Sequence, residues 1–235
     1  MGCIIPWQYR TLYTMIAGET CVGQNGYQNL LFPLEYMYIS QGEGGSYSHE
    51  GTYNIDFLGW SATGRVYHCP YYAPCDLKCK RVSASGVVWE SVNMVNFIDG
   101  TLDYITLNVV HDNRNTDHYV GEIVTQGSFL GYTGTKGNAT GDHVHINVAK
   151  GLNNTQYQNQ YGNWMYTNSY HIYDAMGVND TIIDNGYGYN WRNFSDTPVP
   201  PPTPPTPPVY PTPKPHFKFY LFDKRNWQTN VFNII

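Results

Sequence analysis

Six short stretches of the chain alternate apolar with polar residues or run apolar throughout, and each is bounded by Gly- or Asn-rich turns. They are Tyr36 to Ile39, Asn54 to Leu58, Gly86 to Val92, Tyr104 to Val110, Phe129 to Tyr132 and His143 to Ala149. Period-two patterning in short runs separated by turns predicts a mainly β protein, an antiparallel sheet or sandwich carrying long loops. A helix is predicted only near Tyr170 to Met176, closed by Gly177. No repeat of 20 to 50 residues is visible, which excludes a solenoid or propeller.

The pattern stops at Pro198. Eleven of the fifteen prolines lie between Pro198 and Pro215, where no core can pack and polyproline II is the expected conformation. The expected division is an N-terminal arm over 1–21, a globular domain over 22–195, a proline-rich linker over 196–215 and a short tail over 216–235. Twenty residues are too few for a further core, so the tail reads as an anchor, a docking strand or the remnant of a module.

Composition narrows the function. Charged residues are 13% of the chain while Tyr (22) and Gly (23) are abundant, which suits pleated, turn-rich structure better than helices. A net charge of -5 with no basic cluster argues against nucleic-acid binding. No apolar run approaches the ~18 residues of a membrane span. Residues 1–20 lack the basic and apolar regions of a signal peptide, so delivery by something other than a cleaved signal is expected. Of the five cysteines, Cys69, Cys75 and Cys79 crowd beside His68. Their spacing matches no zinc knuckle, and buried thiols with at most one disulfide are expected over a metal site.

Three places carry candidate chemistry. In Gly141-Asp142-His143-Val144-His145-Ile146-Asn147-Val148, strand alternation puts His143, His145 and Asn147 on one face and the valines and Ile146 on the other. Two imidazoles so placed can share a metal, or one can hold a metal and the other act as its neighbouring base. In Ser48-His49-Glu50-Gly51-Thr52-Tyr53-Asn54-Ile55-Asp56-Phe57, a histidine in a turn leads into a strand on which Asp56 sits between Ile55 and Phe57. Burying that carboxylate calls for a partner such as a cation; an Asp capping its own turn is the alternative. His111 closes the run from Tyr104 and reads either as a surface residue at a strand end or as a catalytic one. His68, His118, His171 and His216 have no comparable setting and are read as structural or exposed.

Taken in order, H-x6-D, an isolated His after a strand, Gly131-Tyr132-Thr133-Gly134 and G-x-H-x-H resemble the lysostaphin-type zinc metalloendopeptidases, which cut peptidoglycan peptides. The resemblance runs from about Pro33 to Lys150 and includes Ile39-Ser40-Gln41-Gly42, Ala73-Pro74 and Gly86-Val87-Val88. It implies one zinc held by His49, Asp56 and His145, with His143 as general base and His111 as the second catalytic histidine, helping to stabilise the oxyanion. Tyr47 matches, by position only, a tyrosine that often assists in the family. One departure stands out: the usual first motif is H-x3-D, and here six residues separate the two ligands, as in some phage members.

The implied partner is bacterial peptidoglycan, with phage tail proteins as partners for the C-terminal tail. The implied setting is a phage lysin in the host cytoplasm before release, or a virion tail component serving host penetration or lysis. The alternative is a degenerate or structural virion or wall-binding protein without catalysis, although every family ligand is present. The H-x6-D segment also resembles the D-Ala-D-Ala peptidases, but the later Glu and the Trp-His pair they need do not follow Asp56. The loops Val66 to Lys80, His111 to Val120 and Asn153 to Ser169 are the expected determinants of which bond is cut, a D-Ala cross-link or a glycine bridge.

Overall fold

The computed structural model describes residues 20–35, 38–61, 63–160, 162 and 164–176, together with the backbone of 221–222 and 229–230. Residues 1–19 of the N-terminal arm, the linker and most of the tail lie outside the described residues, as does the closing Gly177. Leu221–Phe222 and Thr229–Asn230 form a two-stranded antiparallel ladder, in a unit of its own spanning Pro204–Ile235.

The main sheet has eight strands, all paired antiparallel. Across it run Ile123–Val124, Leu77–Val82, Gly86–Ser91, Ile105–Val110, Val144–Lys150, Ile55–Phe57 and Ile39–Gln41. Val144–Lys150 is shared lengthwise: its first half pairs with Ile55–Phe57 and its second with Ser169–Tyr170. Smaller ladders surround the sheet. One joins Gln28–Asn29 in parallel to Val95–Asn96, and another pairs Pro70–Tyr72 with Phe129–Tyr132.

Five of the six patterned stretches coincide with strands to within one residue at either end. The stretch expected from Tyr36 begins at Ile39, with 36 and 37 outside the described residues. Leu77–Val82 was not expected, because Lys78, Lys80 and Arg81 mask its pattern. Leu77 and Cys79 are nevertheless buried while Lys78 and Lys80 are exposed, the alternation of a half-covered strand. The helix forms at Ile172–Met176.

Register explains the core. Trp89, Leu107 and Val148 stand opposite one another across three strands, and so do Val87, Val109, Ile146 and Ile55. With Phe57, Leu130 and Ile172 they form one continuous apolar cluster. Fully burying each such side chain contributes roughly 1.5–3 kcal/mol. On the other face the rows are polar: Asn108 faces Asn147, and Gln41, Asp56 and His145 stand in consecutive register. That face is covered too. Asn147 donates to the Trp164 carbonyl and Asn54 Nδ2 contacts Met165 Sδ at 3.0 Å, so the Gln156–Gln158/Trp164–Tyr166 hairpin roofs the polar rows.

Cys21, Cys69, Cys75 and Cys79 are buried, and the last three are free thiols. Burial pushes the Cys69, Cys75 and Cys79 thiols up, Cys79 to about 11. They are packing residues held away from thiolate chemistry.

Candidate metal centre

The row Gln41, Asp56, His145 ends at a turn that supplies a fourth side chain. His49 N donates to the Gly45 carbonyl, and the amide and hydroxyl of Thr52 both return to the His49 carbonyl. Gly51, at φ +68°, supplies the left-handed step this tight turn needs. The six residues between His49 and Asp56 are thus folded back on themselves. The widened spacing separates nothing, since His49 Nε2 stands 3.4 Å from Asp56 Oδ1.

Three donor atoms converge. His145 Nδ1 lies 2.8 Å from Asp56 Oδ1 and 3.2 Å from His49 Nε2. A tetrahedral metal with bonds of about 2.0–2.2 Å holds its ligand atoms ~3.3 Å apart, so the spacing fits a single ion with little adjustment. The donor set also fits: two imidazole nitrogens and one carboxylate are zinc ligands of the kind that leave a fourth position open. Among the described residues this is the one His/Cys/Asp/Glu group whose donor atoms meet in this way.

The ligands are oriented from behind. The His49 Nδ1–H donates to the Gly42 carbonyl at 3.1 Å, which turns its Nε2 lone pair toward the cluster. Gln41 Nε2 donates to Asp56 Oδ2 at 3.2 Å, and the Gln41 side-chain oxygen accepts from the Ser48 amide at 2.9 Å. Burial alone would push the Asp56 carboxyl up; the His145 and His49 imidazoles beside it outweigh burial and hold the group well below its usual range. Burial lowers His145, with Asp56 opposing.

Beside the cluster stand the other two expected histidines. His143 Nε2 is 3.6 Å from Asp56 Oδ1, and its Nδ1 lies 2.8 Å from the Gly141 carbonyl. His111 Nδ1 is bound at 2.8 Å to the Lys136 carbonyl, and the two rings lie 4.5 Å apart between centroids. His111 adopts φ +77°, a costly conformation for a non-glycine residue. It is held there by its amide on the Ser85 carbonyl and by the Lys136 amide on its own carbonyl. Burial and the neighbouring His143 push its imidazole down to about 4. Asp56, His111, His143 and His145 thus line one cleft of about 780 Å³, with Tyr47 and Arg65 on its walls, and His49, fully buried, meets Asp56 and His145 from behind them. Tyr47 is largely exposed there.

The remaining histidines are structural or exposed, as expected where described. His118 bridges Glu122 and the Leu130 carbonyl, His171 pairs with buried Glu43, and His68 is exposed beside Asp142. Sequence reasoning missed Gln41 and Arg65. Gln41 lay within a quoted motif, but only register shows that it reaches Asp56.

These features define a β-sheet protein with a His-Asp-His side-chain cluster that could hold a metal ion, spaced as zinc ligands are. The chain is 39% identical over 179 residues to Morphogenesis protein 1 of Bacillus phage B103, a match covering 72% of this chain and 46% of that protein. It therefore spans about half the length of that relative. Solved structures similar to it include a zinc-containing peptidase from Vibrio cholerae, at TM-score 0.37 and 16% identity over 63% of this chain and 44% of that one. The catalytic domain of the antimicrobial peptidase lysostaphin from Staphylococcus simulans is similar at TM-score 0.36 and 16% identity, over 56% of this chain and 84% of that one. No family profile matches the chain.

Proposed function

We propose that this protein is a zinc-dependent endopeptidase of the lysostaphin type that hydrolyses peptides of bacterial peptidoglycan on behalf of a phage particle. The observation that carries the reading is the convergence of His49 Nε2, Asp56 Oδ1 and His145 Nδ1 beside two further imidazoles in one cleft. Likeness to a phage morphogenesis protein supports a place in the virion.

Zinc held by His49, Asp56 and His145 would supply Lewis acidity toward a peptide carbonyl and lower the pKa of water at the open position. The side chains then divide the proton work. His143, with its Nδ1–H on the Gly141 carbonyl, keeps an unprotonated Nε2 facing the centre and accepts a proton there as general base. The same atom returns the proton to the departing amine. His111 is kept neutral by burial and its Nδ1–H is committed to Lys136, so its Nε2 is also an acceptor. It becomes a donor to a developing oxyanion only while its Nε2 also carries a proton. The polyproline segment and tail serve as spacer and docking peptide to other tail proteins.

Two measurements test the reading. Metal analysis of protein purified without added zinc should give one equivalent, lost in His145→Ala. Mass spectrometry of fragments released from purified walls should show new peptide termini. Full zinc retention by His145→Ala, or intact wall peptides after digestion, overturns it.

A further inference from the structure

The cleft has one feature the zinc reading does not use. Directly after the Asp56 strand, Trp60–Ser61 and Gly64–Arg65 form a short hairpin. Trp60 stacked on Tyr38, with centroids 4.2 Å apart, and Val66 N bonded to the Gly59 carbonyl fix it in place. Its last residue, Arg65, lines the cleft together with His111, His143 and the Asn138–Thr140 loop. Among the described residues of the lining it is the sole lysine or arginine.

Its guanidinium is held in place, with the Asp142 carboxylate at ion-pair distance but not hydrogen-bonded to it. Nη2 donates to the Asp142 carbonyl, and the group lies over the Tyr67 ring at 5.0 Å from the centroid. The Asp142 carboxylate is 3.9 Å away, too far for a hydrogen bond, and is already occupied by the Thr133 hydroxyl and the His68 amide. Arg65 Nη1 is sheltered from water and has no hydrogen-bond partner. A pre-positioned planar cation with an unused donor matches a carboxylate better than any other common peptide group. The anchoring carbonyl belongs to the residue before His143, and consecutive Cα atoms are about 3.8 Å apart, which sets the cation beside the proposed base.

We propose that Arg65 reads a substrate carboxylate, so that the bond cut lies in an acidic stem peptide close to a free carboxylate and not in a neutral oligoglycine bridge. The proposal rests on the endopeptidase reading and adds to it the class of peptide. The side chain acts in recognition, through binding of substrate and transition state alike.

The test compares soluble muropeptides with free stem carboxylates, the same muropeptides amidated at those positions, and pentaglycine. They are assayed with the zinc-loaded parent protein, Arg65→Gln and Arg65→Lys. The parent should prefer free carboxylates by roughly tenfold to a hundredfold in kcat/KM, the scale of one charge-assisted hydrogen-bonded contact. Arg65→Gln should collapse that ratio toward one through KM, with zinc content kept, and Arg65→Lys should restore part of it. Equilibrium binding of the uncleaved muropeptides to His143→Ala should show the same preference. An active parent that ignores amidation, or cuts pentaglycine equally well, overturns the role of Arg65 and leaves the endopeptidase reading standing. A persistent preference in Arg65→Gln does the same. A zinc-loaded parent that cuts none of the three overturns both.

Discussion

Gly134 lies between the two proposed catalytic histidines. Its amide and carbonyl are each bonded at 3.0 Å to the backbone of His143, while a Cβ at this position would lie 2.4 Å from the His111 carbonyl oxygen and 2.9 Å from the Asn113 amide. The clash is with backbone, not with a flexible side chain that could turn away. Since ordinary contact begins at 3.4 Å, Gly134→Ala must push the His111 segment away from His143 by about 1 Å. The His111 carbonyl also accepts the Lys136 amide, whose own carbonyl holds the imidazole, so ring and backbone should move together. Misplacing a reacting group by that much costs roughly 10²-fold in rate, and overpacking costs about 1–3 kcal/mol of stability. The proposed zinc ligands are untouched. Gly134→Ala should therefore keep one zinc and fold, with a modestly lowered Tm, while kcat on soluble muropeptides falls about a hundredfold. If the loss acts through His111, adding Gly134→Ala to His111→Ala should cost little more, because the two changes share one target. A zinc-loaded Gly134→Ala protein with the parent's turnover would refute the reasoning, as would full additivity in the double variant.

Other outcomes follow from the same geometry. His143→Ala and His111→Ala should each retain zinc and lose roughly 10²-fold or more in turnover, the scale of a positioned acid or base; metal analysis beside kinetics checks this. Burial pushes the Glu43 carboxyl up to about 7, against the hydrogen bond from His171 at 2.6 Å. A carboxyl raised above its unfolded value of about 4.5 stabilises the fold below that value, and the contribution is lost as pH rises toward 7. Glu43→Gln should flatten the Tm profile across that window, removing a slope worth on the order of 3 kcal/mol. Truncation after Asp196 should leave a folded, zinc-binding domain that still cuts soluble muropeptides while losing activity on intact walls; an unfolded product would show that the tail packs on the domain.

The sequence by itself pointed to the candidate chemistry and determined the local geometry. Period-two alternation placed His143 and His145 on one strand face, and turn residues bounded each stretch that became a strand, because side-chain direction in a strand depends only on position along it. Residue type and order were enough to name His49, Asp56, His111, His143 and His145, and to expect buried, unreactive cysteines. Only the tertiary structure decided how those residues meet. His145 and Asp56 are 89 residues apart, yet they face each other because two antiparallel strands pair in one register, and a slip of one residue would point one of them into the apolar core. The same register brings Gln41 behind Asp56. The tight turn at His49 closes the widened spacing between His49 and Asp56, and the polar face is roofed by a later hairpin. The strained backbone of His111 is imposed by segments around Ser85 and Lys136, and Arg65 reaches the cleft through a hairpin that ends one residue before the loop expected to set specificity. Each of these depends on contacts between distant segments, whose energies are set by packing and register and leave no local pattern to read.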